Sequence, residues 1–180
     1  KKYLNKNNYF LTGNPIRKQI KQLDIQESRK KLGLDLGKHT ILIIGGSQGA
    51  RSINKHFQLN YRQYLDKNIQ IIWQTGNNSA DIIKKVNDPN IKKFDFIDKM
   101  EYAYSASDLI ISRAGATAIS EILYLGKPSI LIPYPFAANN HQELNAQVLD
   151  NIGASVMVKE NEFKDNILEN KNFERIDSSE

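Results

Sequence analysis

The chain has 180 residues, a formal charge of +5 and no cysteine, with a mass of 20.6 kDa. That length suits one domain, or a domain with a short tail. The lack of cysteine excludes disulfide scaffolds, thiolate zinc sites and cysteine nucleophiles. Three widely spaced histidines, His39, His56 and His141, make a histidine-based metal site unexpected. No apolar run approaches the roughly 20 residues of a membrane-spanning helix.

The charge is unevenly placed. The first 38 residues hold ten Lys/Arg against three Asp/Glu, a balance of +7, whereas the remainder holds fifteen against seventeen. A uniformly basic nucleic-acid surface is therefore a poor description, and no nucleic-acid partner is expected. Lys18, Lys21, Arg29, Lys30 and Lys31 either solubilise a helix or form a basic flank facing phosphates or anionic lipid. The chain starts Lys1-Lys2-Tyr3 without an apolar leader and stops at Asp177-Ser178-Ser179-Glu180, which reads as a piece of a longer protein.

In chain order, a loop precedes an amphipathic helix over 15–32. Residues 40–44 form a short β-branched run, a buried strand. A glycine-rich loop and a helix over 50–65 follow. Strands are then expected at 69–73, 91–96, 109–112, 129–132 and 154–158. Helices are expected at 81–86, 100–106, 116–125 and 140–151, the last two stopped by Gly126 and Gly153. This alternation predicts an α/β fold, a Rossmann-like doubly wound parallel sheet of about six strands. In such sheets ligands bind beyond the carboxyl ends of the strands, near the point where strand order reverses.

Three loops at those ends carry chemistry. The first is GGSQG (45–49), where glycines let a backbone approach a ligand and a helix start offers free amides to phosphate. It lacks the Gly-Lys-Ser/Thr of a P-loop and the G-x-G-x-x-G spacing. No acidic residue follows the second strand, where a nicotinamide ribose would need one. A plain tight turn is the alternative. The second is RAGATAISE (113–121). Gly115 opens another helix start, and Arg113 either pairs a diphosphate or makes a structural ion pair. Glu121 sits among apolar neighbours, where a carboxylate needs partners; it suits a ribose diol, or else is an ordinary helix-surface Glu. The third is PYPFAANNHQELNA (133–146), two prolines followed by amides suited to sugar hydroxyls. His141 by itself reads as a capping or surface residue.

TGNPIR (12–17), GGSQGAR (45–51), FIDKM (96–100), SRAGATAISE (112–121) and PYPFAANNHQELNA (133–146) occur in that order. Together they resemble the donor-binding C-terminal half of the MurG family, bacterial UDP-N-acetylglucosamine transferases that make lipid II. The resemblance covers about 12–158. It implies one half of a GT-B glycosyltransferase, with the active site between two Rossmann-like domains. It also implies that the Ile97 backbone meets uracil and that Glu121 holds the ribose hydroxyls. Ser47, Gln48, Gly49 and the Gly115-Ala116 helix start would hold the diphosphate. Arg17 would lie near the nucleotide, and Gln142, with His141 and Asn145, would meet the N-acetylglucosamine.

The implied reaction is inverting: the C4 hydroxyl of the muramyl sugar of lipid I displaces UDP. No metal or other cofactor is demanded. The acceptor loops, the catalytic base and the membrane-contacting patch would belong to an N-terminal domain not in this chain. The full-length protein would then be peripheral, on the cytoplasmic side of the bacterial inner membrane. The expected layout is a linker and first helix over 1–38, a UDP-sugar-binding domain over 39–160 and a truncated helical segment over 161–180. The chain alone is expected to bind nucleotide sugar without transferring it. Alternatives are the donor-binding subunit of a two-subunit N-acetylglucosaminyl transferase, like the dolichol-linked enzyme, or another UDP-sugar GT-B enzyme. A nicotinamide-binding module is disfavoured by the missing ribose acid.

Overall fold

Six short apolar runs pair edge to edge. The computed structural model describes residues 13–77, 79, 81, 84–165 and 168–171. Its strands are β1 (His39–Ile44), β2 (Ile69–Gln74), β3 (Ile91–Phe94), β4 (Leu109–Arg113), β5 (Ser129–Ile132) and β6 (Val156–Met157). All pair in parallel, in the order β3-β2-β1-β4-β5-β6. Order reverses between β1 and β4, so this is the switch point of a doubly wound sheet.

Side chains alternate across the sheet with a period of two. Ile41 and Ile43 join one core layer, and Leu42 and Ile44 the other. Helix α2 (Arg51–Leu65) covers the first face through Ile53, Phe57 and Tyr64, over the buried Trp73. Helices α1 (Ile25–Lys31), α3 (Met100–Ala106), α4 (Ala116–Tyr124) and α5 (His141–Asn151) belong to the second face, where Tyr104, Ile122 and Leu149 are buried. A buried Asn54 on α2 ties the first layer together. Its Nδ2 donates to Thr75 O and Ser79 Oγ, both at 2.7 Å, and its Oδ1 accepts from Trp73 Nε1 at 2.9 Å.

The structure corrects the first expected helix. Only Ile25–Lys31 is helical, not 15–32. Asp24 is the reason: its Oδ1 accepts from the Glu27 N–H at 2.7 Å, which starts the helix there. The preceding residues run as a strap along α3, where Ile20 is buried and the Leu23 N–H donates to Ser105 Oγ at 3.0 Å. Arg29 is also not a solubilising residue. It is 6% exposed and donates to Ala106 O, Leu36 O and, at 2.7 Å, Asp108 Oδ2. The third strand ends at Phe94 and the sixth spans two residues, both shorter than the sequence suggests. The expected helix over 81–86 falls partly on residues 82 and 83, outside the described residues, as do 1–12 and 172–180.

Beyond β6, a 3-10 turn (Glu160–Asp165) and residues 168–171 return to α2. Leu168 is buried in the first layer, and Glu169 accepts from buried His56 at 2.5 Å and from Tyr64 Oη at 3.3 Å. Burial opposes ionisation of Glu169, but the His56 hydrogen bond and charge outweigh it and hold this carboxyl below its ordinary value. A depressed carboxylate stabilises the fold above its ordinary pKa and loses that contribution as pH falls through the lowered value. Acidification below about 4.5 is therefore expected to undock this turn. In Glu169→Gln the acid limb of a melting-temperature profile is expected to flatten; an unchanged limb would remove the pair from the acid transition.

Candidate functional site

The carboxyl ends of β1 and β4 diverge at the switch point and leave a cavity of about 940 Å³. One wall is the loop after β1, Gly45, Gly46, Gln48 and Gly49, running into Ala50, Arg51 and Ser52 of α2. The opposite wall is Arg113, Gly115, Ala116 and Thr117, where β4 turns into α4. Tyr134, Gln142 and Glu160 add to the lining.

Both helices present bare N-termini. Ala50 and Gly115 stand at the cap positions, neither start has a side-chain cap, and neither first turn carries an acidic residue. The first amides of a helix lack intrahelical partners, and the dipole adds partial positive charge there. Two such ends on one cavity make a binding place for an anion with two charged groups.

The glycines do separate jobs. Gly49 and Gly76 pack backbone to backbone. A Cβ on Gly49 would lie 2.2 Å from Thr75 O, and one on Gly76 would lie 2.1 Å from the Gly49 nitrogen. This contact closes the loop after β1 onto the loop after β2. Gly115 differs: a Cβ there meets nothing within 4 Å, and φ is −75°. Packing therefore does not demand glycine at 115.

Glu121 lies on α4, 1% exposed, and is not part of the cavity lining. Arg17 grips it in a bidentate pair, Nε to Oε1 at 2.6 Å and the terminal NH2 group to Oε2 at 2.9 Å. Tyr104 Oη donates to Oε2 at 3.1 Å. The Arg17 pKa is raised, chiefly by this hydrogen bond. Burial, then the Glu121 charge, pushes the Tyr104 hydroxyl far up, so it stays a neutral donor.

Ile97 is 4% exposed, and its N–H donates to Gln74 Oε1 at 3.1 Å. Gln74 Nε2 in turn donates to Gly46 O at 3.3 Å, which links the Ile97 backbone to the glycine loop. Arg113 is a brace. It donates to Ile132 O, Pro133 O, Ser52 Oγ and Glu160 Oε1, and its guanidinium lies 5.4 Å from the Tyr134 ring centre. Arg113 thus makes an ion pair with Glu160 and also lines the cavity. Gln142 lines the cavity, and its Oε1 accepts from the Tyr134 N–H at 3.0 Å. Asn145 Nδ2 donates to Ala114 O at 3.2 Å, holding α5 to the start of α4. His141 is exposed, with Nδ1 2.7 Å from Ala138 O, a local capping contact. Ser47 is exposed on the loop and does not line the cavity.

Six of the expected residues thus share the cavity: Gln48, Gly49, Arg113, Gly115, Ala116 and Gln142. Arg17, Ile97, Glu121, Asn145, His141 and Ser47 lie outside its lining. Three residues with defined parts escaped the sequence reading: Gln74, Tyr104 and Glu160. Only Glu160 had a usable signal, a carboxylate just past the sixth strand.

The strand order, the cavity at its switch point and the paired helix starts define a Rossmann-like α/β domain built to hold an anionic ligand. The sequence pattern of the glycosyltransferase family 28 C-terminal domain matches residues 40–177. The chain belongs to that family. It is 43% identical over 164 residues to the UDP-N-acetylglucosamine--N-acetylmuramyl-(pentapeptide) pyrophosphoryl-undecaprenol N-acetylglucosamine transferase of Halothermothrix orenii, a match covering 86% of this chain and 44% of that protein. The same-named protein of Thermodesulfovibrio yellowstonii is 43% identical over 176 residues, covering 94% of this chain and 48% of its own length. The crystal structure of Acinetobacter baumannii MurG superposes with a TM-score of 0.64 at 27% identity, covering 86% of this chain and 45% of that one. The chain spans slightly less than half the length of these relatives.

Proposed function

We propose that this chain is the donor-binding half of an inverting N-acetylglucosaminyltransferase. Its donor is UDP-N-acetylglucosamine, and its acceptor is lipid I, the undecaprenyl-pyrophosphoryl-MurNAc-pentapeptide. The observation that carries this reading is the pair of uncapped helix starts, of α2 and α4, facing each other across one cavity. The names of the relatives at 43% identity supply the substrates.

In this reading the diphosphate lies between Gln48-Gly49 and Gly115-Ala116, with Ser47 at the loop tip. The uracil meets the backbone of Ile97, and the ribose meets Glu121, with Arg17 beside it. The hexose extends toward Gln142, with Asn145 and His141 on the same helix start. Arg113 keeps the ends of β4 and β5 in register beneath the diphosphate. As the C4 hydroxyl of the acceptor attacks the anomeric carbon, the bond to UDP breaks and negative charge grows on the diphosphate. Fixed amide dipoles stabilise that charge without reorganising. The reading assigns no metal or other cofactor. The acceptor, the base and the membrane contact belong to a second domain, in a protein lying on the cytoplasmic face of the inner membrane. Among the described residues no helix is long and apolar enough to cross a membrane.

Calorimetric titration with UDP-N-acetylglucosamine, UDP-glucose and NADH tests the reading. Binding of the N-acetylglucosamine donor ahead of the other two is expected. Tighter binding of NADH, or no binding of any uridine nucleotide, would overturn it. Gly115→Val sharpens the test. The fold is expected to stay intact, because the added side chain enters open space, while UDP affinity falls by tenfold or more, about 1.4 kcal/mol. A Gly115→Val protein binding UDP like the parent would move the diphosphate away from α4.

A further inference from the structure

The Arg17–Glu121 pair raises a counting problem for any ribose. A carboxylate has about four acceptor positions. Arg17 takes two of those on Glu121 and Tyr104 takes a third. A vicinal diol needs two, so one donor must leave before Glu121 can bind it. Tyr104 is buried on α3 and has no other partner in view among the described residues, whereas Arg17 sits on the strap and is the more exposed member of its ion pair.

Glu101 supplies the other half of the argument. It stands three residues before Tyr104 on α3, so both side chains project from the same helix face. Its Oε2 is buried and has no hydrogen-bond partner among the described residues. An unpartnered buried carboxylate oxygen is costly, more so than a neutral polar group. Arg17 and Tyr104 meet on the same Glu121 carboxylate, so the guanidinium lies beside the face of α3 that carries Glu101; the Glu101 charge is the smallest of the influences that favour the charged form of Arg17.

We propose that Arg17 is a two-position latch, resting on Glu121 in the empty domain and transferring to Glu101 when a nucleoside diol binds. One displacement frees the acceptors that the ribose requires and satisfies the orphaned oxygen. Glu101 is then a positioning residue: it touches no ligand and acts through Arg17. The latch also keeps the Glu121 carboxylate paired whenever the site is empty. This inference rests on the UDP-sugar reading of the site.

The test is a double-mutant cycle read by calorimetry with UDP. Glu101→Gln is expected to weaken UDP binding about tenfold, the lower end of the range for a hydrogen bond to a charged group. In an Arg17→Met background the same substitution is expected to change UDP affinity less than twofold, because no cation remains to transfer. A merely structural Glu101 would show equal losses in both backgrounds. Ligand-free melting separates the two further: Glu101→Gln is expected not to lower the melting temperature of the empty domain. Unchanged UDP affinity in Glu101→Gln, equal losses in both backgrounds, or a destabilised empty domain would each overturn the latch while leaving the UDP-sugar reading standing. Absence of UDP binding by the parent protein would overturn both.

Discussion

Glu121→Ala is expected to weaken UDP binding by about 1.5–3 kcal/mol, a loss of roughly tenfold to a hundredfold or more. The reason is chemical. Glu121 is a buried carboxylate and the acceptor that the proposed function gives to the ribose, and a diol taken out of water needs hydrogen-bond acceptors to offset its desolvation. The substitution also releases Arg17 and Tyr104 from their shared partner. Arg17 is exposed enough to find water, so the stability cost falls mainly on Tyr104, whose hydroxyl stays buried. Glu121→Gln keeps the shape and one acceptor oxygen and is expected to fall between parent and alanine. Titration with UDP, alongside melting curves to show that each variant folds, decides the matter. Parental affinity in a folded Glu121→Ala protein would remove this carboxylate from the site.

The second large effect concerns folding. Gly49→Ala is expected to destabilise the domain by several kcal/mol. Gly49 has φ +80°, a conformation that costs an L-residue about 1–2 kcal/mol. Its new Cβ would also sit 2.2 Å from the carbonyl oxygen of Thr75, a backbone atom held by its own neighbours. Forcing the loops apart costs about another 1–3 kcal/mol, as for overpacked cores. For a domain of this size each kcal/mol shifts the melting temperature by about 2–4 °C, so a fall on the order of 10 °C is expected. A melting temperature within 2 °C or so of the parent would show that the Gly49–Gly76 contact opens easily. The contrast with Gly115 is informative. Both glycines flank the same cavity, yet the protein's own backbone requires only Gly49, whereas a Cβ at Gly115 enters open space.

The expected elements were legible where local pattern and burial agree. Residues 40–44 and 129–132 are apolar runs buried on both faces, so nothing competes with the strand they predict. Met100–Ala106 is bounded as expected. The strap before α1 was misread because its apolar residues recur at helical spacing. Ile20 is buried by packing against the second layer rather than by forming a helix face, and Asp24 restarts the backbone. Arg29 was misread for a related reason: a basic residue in a basic stretch looks solvated until Asp108 is brought beside it from 79 positions away.

The site divides along the same line. Sequence alone determined that two glycine loops lead into helices at the carboxyl ends of strands. Strand, glycine and helix are contiguous there, so local geometry dictates where free amides point. The partners of the charged side chains were decided only by tertiary structure. Arg17 and Glu121 are 104 positions apart, and Arg113 and Glu160 are 47 apart. No periodicity links such pairs; the strand order brings the strap and α4 together on one face of the sheet, and sets the end of β4 near the turn that follows β6. Whether a carboxylate is free to take a ribose or already holds a guanidinium depends on that meeting, because a buried charge takes whatever partner the fold supplies.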